Sequence, residues 1–579
     1  MVDSNQHFIN KSFREYCIPS VLAILGANIS VMIDNLVAGF FLDSNALAAM
    51  SIVNPIFNLI AAFGILVCGG AGTLAAISLA ENNQEKTKAY FSLCFFLCLI
   101  VSGIVTIVGV VGINPITRLL VTDETLFLLA KDYSLVTFMG SASIIFVYFP
   151  FHFLRIKSKN QIAMRMFLIM SVFDILFDIL FVVVFDYGMK GLSAATVLSA
   201  TIAIFYGGIH LRKAGYVIGK PSTCRTYIEE MLLTGSPMAL NNIYAMARVR
   251  VLNGVILSAG GSIALAAYAC GNNINIVGTA LIGGIAQTAA TIVAIFYGER
   301  DSTGMRAIIK KATRNGMVIT CCFMIVVNVF SRQIAVLFGL TGDSEQELVQ
   351  VTILILSIYL FVTLFSSILS YVFMSCKNTG ISNLLTFCKG FAFAIPLMIL
   401  GGKAYGFYGV LLGMILSEVL SILGTVVLSY YRRKRNPMLE TLFLIDQRRF
   451  GQGQAMSCVV KNQAEHIGET SAAAQEFCEE QGLTMKQAMT VGLGVEEIMM
   501  LMLQHTGLTE NDVLDFRLFI SKKEIVTRIR CAGEEFNPLE YEPEDELDNM
   551  GVTMLLHMAS DLSYTTSLGV NNVQVVIEV

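Results

Sequence analysis

The chain has 579 residues, of which 55% are hydrophobic and 14% charged, and its mean hydropathy is +0.68. This composition excludes a soluble globular enzyme and indicates a polytopic membrane protein, because the apolar runs are each near the ~20 residues that cross a bilayer. The net charge of −4 says little, because charged residues are sorted by position along the chain. No nucleic-acid partner is expected.

About twelve apolar segments follow a polar N-terminus that lacks the regions of a cleavable signal peptide. They centre near residues 18–40, 48–78, 89–112, 132–153, 161–185, 191–211, 229–258, 264–297, 313–338, 349–375, 381–400 and 406–430. Lys and Arg cluster in alternate connections, from QEKTK after the second segment to RRKR after the twelfth. The positive-inside rule therefore predicts a multi-pass membrane protein with both termini in the cytoplasm.

The two halves of the apolar region match each other without gaps at an offset of 218 residues. The matched positions include Pro19 and Pro237, Asn35 and Asn253, and Glu81 and Glu299. With an even number of spans in each half, the repeat predicts two parallel six-helix lobes, 14–223 and 224–435. Parallel repeats are a transporter architecture that handles its substrate between the lobes.

Three acidic residues interrupt the apolar segments of the first half. Asp34 lies in the first segment, and Asp174 and Asp178 lie four residues apart in FDILFDIL, on one face of a helix. Neighbouring buried carboxylates either retain a proton or bind a cation, although a polar contact between helices is the plainer alternative. The matched positions in the second half are Leu252, Ala392 and Pro396. Packing alone therefore does not require the acids.

These segments resemble the multidrug and toxic compound extrusion (MATE) family over about residues 14–435. The resemblance rests on MIDNLVAGFFLDSNALAAMS, LAENNQEKTKAYF and FDILFDILFVVVFDYGMKGLSAATVLS. It implies an antiporter of the bacterial inner (cytoplasmic) membrane that exports organic cations in exchange for Na⁺ or H⁺, with no other cofactor. It also implies that Asp34 and an Asn-x-x-x-Asp pair hold the coupling cation. Here that pair reads Asp174-x-x-x-Asp178, which leaves the choice between Na⁺ and H⁺ open.

Further polar residues within the apolar segments are candidates for a substrate cavity, since intramembrane charges are costly unless they serve a function. These candidates are Asn35, Arg248, Arg250, Asn253 and Glu418. The alternatives are pairing with one another or extension towards a membrane interface. The two arginines either pair with Glu418 or meet an anionic group of the substrate, and the sequence leaves both open.

After RRKRNP the composition becomes that of a soluble segment, which predicts a linker over 436–455 and a small cytoplasmic α+β domain over 456–579. We expect helices near 466–481, 485–505 and 551–562. FRLFISKKEIVTRIRCAG predicts a strand, a turn and a strand, and VQVVIEV predicts a last strand.

This segment resembles the ATPase domain of anti-sigma-factor serine kinases, a branch of the histidine-kinase-like ATPases. The matching pieces are VGLGVEEIMMLMLQH, IRCAGEEFNPLEY and DNMGVTMLLHMASDLSY to GVNNVQVVIEV. The resemblance places the general base at Glu497, but Leu501 replaces the Mg²⁺ ligand, Cys531 replaces the adenine contact, and little of the glycine-rich lid is left beyond Gly551. Leucine cannot ligate Mg²⁺, which requires oxygen. We therefore expect a degenerate, inactive domain that contacts a cytoplasmic regulatory protein.

Three functions fit these observations. The first is a secondary active exporter of drugs or organic metabolites that works by alternating access. Membrane lipids would surround it. The second is a flippase for a lipid or amphipathic metabolite, which the arginines favour. The third is a membrane-embedded sensor that signals through the C-terminal domain. All three describe a protein that binds small organic molecules and is not itself an enzyme.

Overall fold

A computed structural model of the chain contains a long α-helical region followed by a small α+β domain. It describes residues 6–42, 44–81, 83–121, 124–219, 225–338, 342–446, 453–509, 512–521, 523–541, 550–567 and 570–578, together with Leu340. The helices of the first region follow the apolar runs of the sequence. They are α1 (Gln6–Val37), α2 (Ser44–Ala80), α3 (Gln84–Val111), α4 (Ile113–Leu120), α5 (Glu124–Met139), α6 (Ser141–Phe146), α7 (Tyr148–Ile156), α8 (Asn160–Asp178), α9 (Gly188–Lys213), α10 (Arg225–Gly298), α11 (Ser302–Val329), α12 (Ser331–Leu337), α13 (Asp343–Ser375), α14 (Thr379–Phe387) and α15 (Ala394–Arg435).

Two breaks and three π-helical turns interrupt these helices. α10 breaks at Gly261 (φ 70°) and α15 at Gly406 (φ 62°), where glycine adopts the left-handed conformation without a steric penalty. The π-helical turns are Ala38–Leu42, Ile179–Val184 and Cys388–Ala392. Such turns occur often at functional sites.

Nine helices of the described residues are long and apolar enough to cross a membrane, or ten if the bent pair Leu126–Met139 and Ser141–Ile156 forms one span. This supports a multi-pass membrane protein. The count treats Thr379–Arg435 as one helix although it breaks at Gly406. The expected number of about twelve spans therefore stays a prediction.

α2 and α10 approach each other at glycines. A Cβ added to Gly235 would lie 1.9 Å from the backbone oxygen of Leu66, and one added to Gly298 would lie 2.5 Å from that of Ile77. Both ends of α10 thus touch the second half of α2. A straight helix between Gly235 and Gly298 would be about 95 Å long, so α10 must fold back at its break. We call the end of the bundle at which α2 and α10 terminate the domain-side end.

The C-terminal domain is a five-stranded antiparallel sheet with helices on one face. Its strands are β3 (Gly453–Lys461), β4 (Val513–Ser521), β5 (Glu524–Cys531), β6 (Ala559–Ser567) and β7 (Val570–Glu578), in the order β3-β4-β5-β7-β6. Its helices are α16 (Ala464–Glu480), α17 (Met485–His505) and α18 (Met550–Met558). A short hairpin of β1 (Leu439–Glu440) and β2 (Ile445–Asp446) precedes it. Alternate residues of β4, Leu514, Phe516 and Leu518, form a core with the helices.

The helices predicted near 466–481 and 485–505 and the two strands predicted in FRLFISKKEIVTRIRCAG are confirmed, while part of the predicted turn lies outside the described residues. The predicted helix over 551–562 is wrong beyond Met558, because the chain continues as β6, which pairs with β7. Leu562 and Tyr564 alternate in that strand and pack on the core. β3 was not predicted and begins at Gly453, within the segment assigned to the linker.

Candidate functional site

Three carboxylates from two helices meet inside the first half of the bundle. Asp34 of α1 and Asp174 and Asp178 of α8 each place an oxygen within 4.8 Å of the others. They are 5%, 1% and 0% exposed. The four-residue spacing in FDILFDIL aligns two of them on α8, and packing of α1 against α8 brings in the third. The π-helical turn Ile179–Val184 begins directly after this cluster.

Asp174 differs from its neighbours because both of its oxygens accept hydrogen bonds. Ser30 of α1 donates to Oδ2, and Ser199 of α9 donates to Oδ1 over 3.1 Å. In contrast, no hydrogen bond from a described residue reaches Oδ1 of Asp34 or either oxygen of Asp178. Buried carboxylate oxygens without a partner are unfavourable. This arrangement therefore suits a cation or a proton, and oxygen ligands are the type that hard cations prefer.

A small cavity reaches this cluster from the side of α2 and α5. Its lining includes Asp34, Asn35, Asn54 and Tyr133. Asn35 also donates to the backbone oxygen of Val31 within its own helix. The sequence reasoning did not select Asn54, Tyr133, Ser30 or Ser199. Ser30 carries one signal that would have found it, since it lies four residues before Asp34 and so shares its helix face.

A second group of charged side chains converges on one face of α13 in the other half of the bundle. Arg248 of α10 donates to the hydroxyl of Tyr359 over 3.2 Å. The Thr363 hydroxyl lies 3.5 Å from Glu418 of α15, which is buried. Lys389, in the π-helical turn before α15, donates to Ser366 over 3.2 Å. The three contact residues lie at helical spacing along α13. The two halves thus carry different buried charges, carboxylates in one and mixed charges in the other.

The internal repeat relates these two groups. At the 218-residue offset Ser30 matches Arg248, and Ser199 matches Ser417, which precedes Glu418. The positions that contact Asp174 in the first half therefore become charged, or adjoin a charge, in the second. Of the other candidates, Asn253 is exposed on α10, and the side chain of Arg250 lies outside the described part of the structure.

A polar cavity lies between α2, α10 and α13. Its lining includes Asn241, Asn242, Ser370, Tyr371 and Lys389. Amides, hydroxyls and an ammonium group offer hydrogen bonds to a polar organic molecule, and the neighbouring Met238 and Met374 offer adaptable apolar surface. Of these residues, the sequence singled out only Lys389, as a charge within an apolar segment.

Three buried cysteines also meet, which their spacing in the sequence did not indicate. Cys68 of α2 lies 3.4 Å from Cys98 and 3.8 Å from Cys94 of α3, measured between sulfur atoms. The last two are one helical turn apart. They pack as small apolar side chains within the main core of the bundle.

In the C-terminal domain the residues carried over from the kinase resemblance are occupied with structural contacts. Glu497 of α17 accepts a hydrogen bond from the backbone of Val552 over 2.7 Å. Leu501 and Cys531 are buried members of the apolar core. Gly551 is the second residue of α18. Burial raises the pKa of the Cys531 thiol to about 11, so this side chain is uncharged near neutral pH.

A known protein family matches the helical region of the chain. The MatE family model matches the chain twice, over residues 19–180 and 237–400, together more than half of its length. The two matches begin 218 residues apart, which is the offset of the internal repeat.

Named relatives cover most of the chain. The multidrug export protein MepA of Staphylococcus saprophyticus is 23% identical over 448 residues, 75% of this chain and 98% of that protein. The probable multidrug resistance protein YoeA of Bacillus subtilis is 25% identical over 376 residues, 62% of this chain and 78% of that protein. A solved multidrug resistance MATE transporter of the MOP superfamily, described as outward-facing, has a TM-score of 0.69 with 19% identity. That match covers 74% of this chain and 96% of the transporter, and shows a common fold.

Proposed function

The chain belongs to the MATE family of membrane transporters, and on that premise we propose that it is a secondary active exporter of drugs or organic metabolites. Export would be driven by exchange for Na⁺ or H⁺ through alternating access. Relatives named for multidrug export and multidrug resistance support this function. They do not favour the flippase or the sensor.

The observation that carries the proposal is the cluster of Asp34, Asp174 and Asp178. Their oxygens lie within 4.8 Å of one another, and three of them accept no hydrogen bond from a described residue. Three ionised carboxylates at this separation repel one another strongly, so uptake of a cation or a proton stabilises the cluster. Na⁺ would be held by the same three residues. Neutralisation changes the packing preference of α1 against α8 and couples the ion to the conformation of the bundle.

We further propose twelve spans in two six-helix lobes, 14–223 and 224–435, with both termini in the cytoplasm. The breaks at Gly261 and Gly406 support this count, because each divides one continuous helix into two. The twofold family match supports the lobes. The basic connections support the orientation, which would place the domain-side end at the cytoplasmic face.

The substrate would occupy the polar cavity near Lys389, between the two lobes. The nearby Arg248 and Glu418 give this half of the bundle both signs of charge. A zwitterionic or weakly anionic organic molecule would fit such a lining better than a purely cationic one.

The domain over 456–579 would be a degenerate relative of anti-sigma-factor kinase domains with a regulatory role. Its antiparallel sheet with helices on one face is compatible with that class. The burial of Leu501 supports loss of the Mg²⁺ site, because an apolar core residue offers no metal ligand.

The proposal is tested with purified protein in lipid vesicles under imposed Na⁺ or pH gradients. We expect gradient-driven dye transport that Asp34→Asn and Asp178→Asn each reduce at least tenfold. Asp186→Asn is the matched control, because Asp186 is exposed and lies outside the cluster. Equal transport by all four proteins would refute the coupling role of the cluster.

A further inference from the structure

The face of the C-terminal sheet that is turned away from its own helices carries three arginines. Arg517 of β4 stands directly opposite Arg528 of β5, and Arg530 follows two residues later on the same face. Like charges in opposite positions of neighbouring strands destabilise a sheet. This face therefore requires anionic partners.

The partners come from the junction between α10 and α11 at the domain-side end. Arg530 Nη2 lies 3.0 Å from Oε2 of Glu299 and 3.4 Å from Oδ2 of Asp301. Arg528 lies 3.6 Å from the Glu299 carboxylate and also donates to the Glu299 backbone oxygen over 2.9 Å. Arg517 pairs with Asp301. Each of these five side chains is at most 12% exposed.

The network is balanced in charge, with three arginines and three carboxylates. Asp515, beside Arg530 on the sheet, supplies a third carboxylate at 3.8 Å. Asn572 of β7 donates to Glu299 over 3.1 Å. Removing one partner from a buried ion network leaves an uncompensated charge and is strongly destabilising. A single neutral substitution in this network should therefore release the contact.

The internal repeat distinguishes the docking role of Asp301 from its role as a helix cap. Asp301 caps α11 by accepting a hydrogen bond from the backbone of Gly304 over 2.9 Å. Asn83, its match at the 218-residue offset, caps α3 by accepting from the backbone of Lys86 over 2.9 Å. Asn and Asp serve equally well at this position. The charge of Asp301 is therefore not needed for the cap, and the structure uses it for the arginines.

The docked sheet also reaches α2. Glu81, which follows α2, lines one cavity together with Glu299 and with Asp561 of β6. Directly beneath, Gly298 at the end of α10 packs against the last turn of α2. The domain thus lies across the ends of two helices, one from each half of the sequence repeat.

We propose that the C-terminal domain is a built-in clamp that holds the domain-side ends of α2 and α10 together and so favours the state closed at that end. The domain bridges the two halves only while their ends are in contact, so opening this end requires the sheet to leave Glu299 or α2. The effect on transport rests on the function proposed above, whereas the docking contact does not.

Two measurements on the full chain in lipid nanodiscs or vesicles test the clamp. The first is hydrogen exchange of residues 298–305 at one fixed pH. Asp301→Asn keeps the cap and removes the charge, so we expect exchange in this segment to rise at least tenfold. Asn83→Asp is the matched control and should leave exchange in this segment unchanged. Unaltered exchange in residues 488–502, the core of α17, verifies that the domain stays folded.

The second measurement is the initial rate of dye transport from the domain-side face. Asp301→Asn should raise this rate at least twofold, with Glu299→Gln as a second variant. Unchanged exchange in Asp301→Asn would overturn the docking itself. Raised exchange with an unchanged or lower rate would overturn the clamp. If the wild-type protein transports nothing, the proposed function fails, while hydrogen exchange still decides the docking contact.

Discussion

The Ser199 hydroxyl donates to Oδ1 of Asp174 over 3.1 Å and joins α9 to the carboxylate cluster. With Ser30 on its other oxygen, each oxygen of this carboxylate accepts one hydrogen bond, unlike those of Asp178 one turn away. The cluster is thus graded, because protein donors orient Asp174 while both oxygens of Asp178 and Oδ1 of Asp34 accept no hydrogen bond from a described residue.

This grading predicts that substitutions of Asp174 and Asp178 reduce transport to different extents. Asp178→Asn should lower gradient-driven transport at least tenfold, because it removes a carboxylate whose oxygens are available to the proposed coupling ion. Asp174→Asn should lower transport less than threefold, since the serine hydroxyls can reorient towards an amide. Uptake rates in vesicles check both. A larger loss in Asp174→Asn than in Asp178→Asn would contradict the grading.

The polar cavity predicts a change of substrate preference. Lys389→Gln should weaken binding of substrates that carry a carboxylate about tenfold, because it removes a charge-assisted hydrogen bond worth ~1.5 kcal/mol, and should leave neutral substrates nearly unaffected. Equilibrium binding of matched neutral and anionic dyes measures this. Ser258→Ala on α10 serves as the control, since its exposed hydroxyl bonds only to its own helix. Equal losses of affinity for both dyes would exclude a direct contact between Lys389 and the anionic group.

Close packing of α2 and α10 predicts a sharp steric effect. Gly235→Ala should lower the free energy of unfolding by ~1–3 kcal/mol through overpacking, because its Cβ would lie 1.9 Å from the Leu66 oxygen. Gly254→Ala has open space around it and should be neutral or stabilising, since alanine favours helix by ~0.5–1 kcal/mol. The midpoints of thermal unfolding in detergent distinguish the two variants. Equal midpoints would show that α2 and α10 move apart at Gly235 without a loss of stability.

The docked network predicts a pH dependence. Burial raises the pKa of Asp515 to about 6; Glu299 and Asp301 add to this, and Arg530 and Arg517 oppose it. Asp515 thus binds a proton more tightly in the docked state than it would when exposed in the undocked state. Docking should therefore strengthen as pH falls through about 6 and be weaker above it. Burial also opposes ionisation of Asp301, but Arg517 and Arg530 outweigh it and hold its pKa below the usual range. Its contribution is present above pH ~4 and lost below.

The distance between spin labels at exposed Lys88 and Glu578 reports the docked fraction, with Cys321 and Cys322 changed to serine. We expect a larger docked fraction at pH 5.5 than at pH 8. Asp515→Asn should remove this difference. If the docked fraction of Asp515→Asn still changed with pH, the pH response would belong to another titratable group.

The loss of the Mg²⁺ site that we propose for the C-terminal domain predicts no nucleotide binding. The full-length protein should bind Mg-ATP more weakly than ~1 mM, which corresponds to less than ~4 kcal/mol of binding free energy. The reason is that Leu501 and Cys531 offer neither a metal ligand nor a carboxylate for adenine. Equilibrium dialysis measures the affinity. Micromolar binding that Glu497→Gln abolishes would show an active site instead.

Much of the fold was predictable because local patterns encode it. Apolar runs predicted the helices, and the alternation in FRLFISKKEIVTRIRCAG predicted β4 and β5. The helix expected over 551–562 failed at its end because pairing with β7 overrode the local pattern. The spacing of Asp174 and Asp178 predicted a shared face, which a helix guarantees.

The sequence by itself determined the membrane class, the repeat and the carboxylates of α8, since each depends on residues near one another or on a fixed offset. Tertiary structure decided which faces meet. Ser199 reaches Asp174 only because α9 packs on α8. Arg528 and Arg530 alternate with apolar residues as a solvated strand face would, yet they are buried against Glu299. Local periodicity states which side of an element is polar, whereas the partner of that side depends on contacts more than two hundred residues apart in the chain.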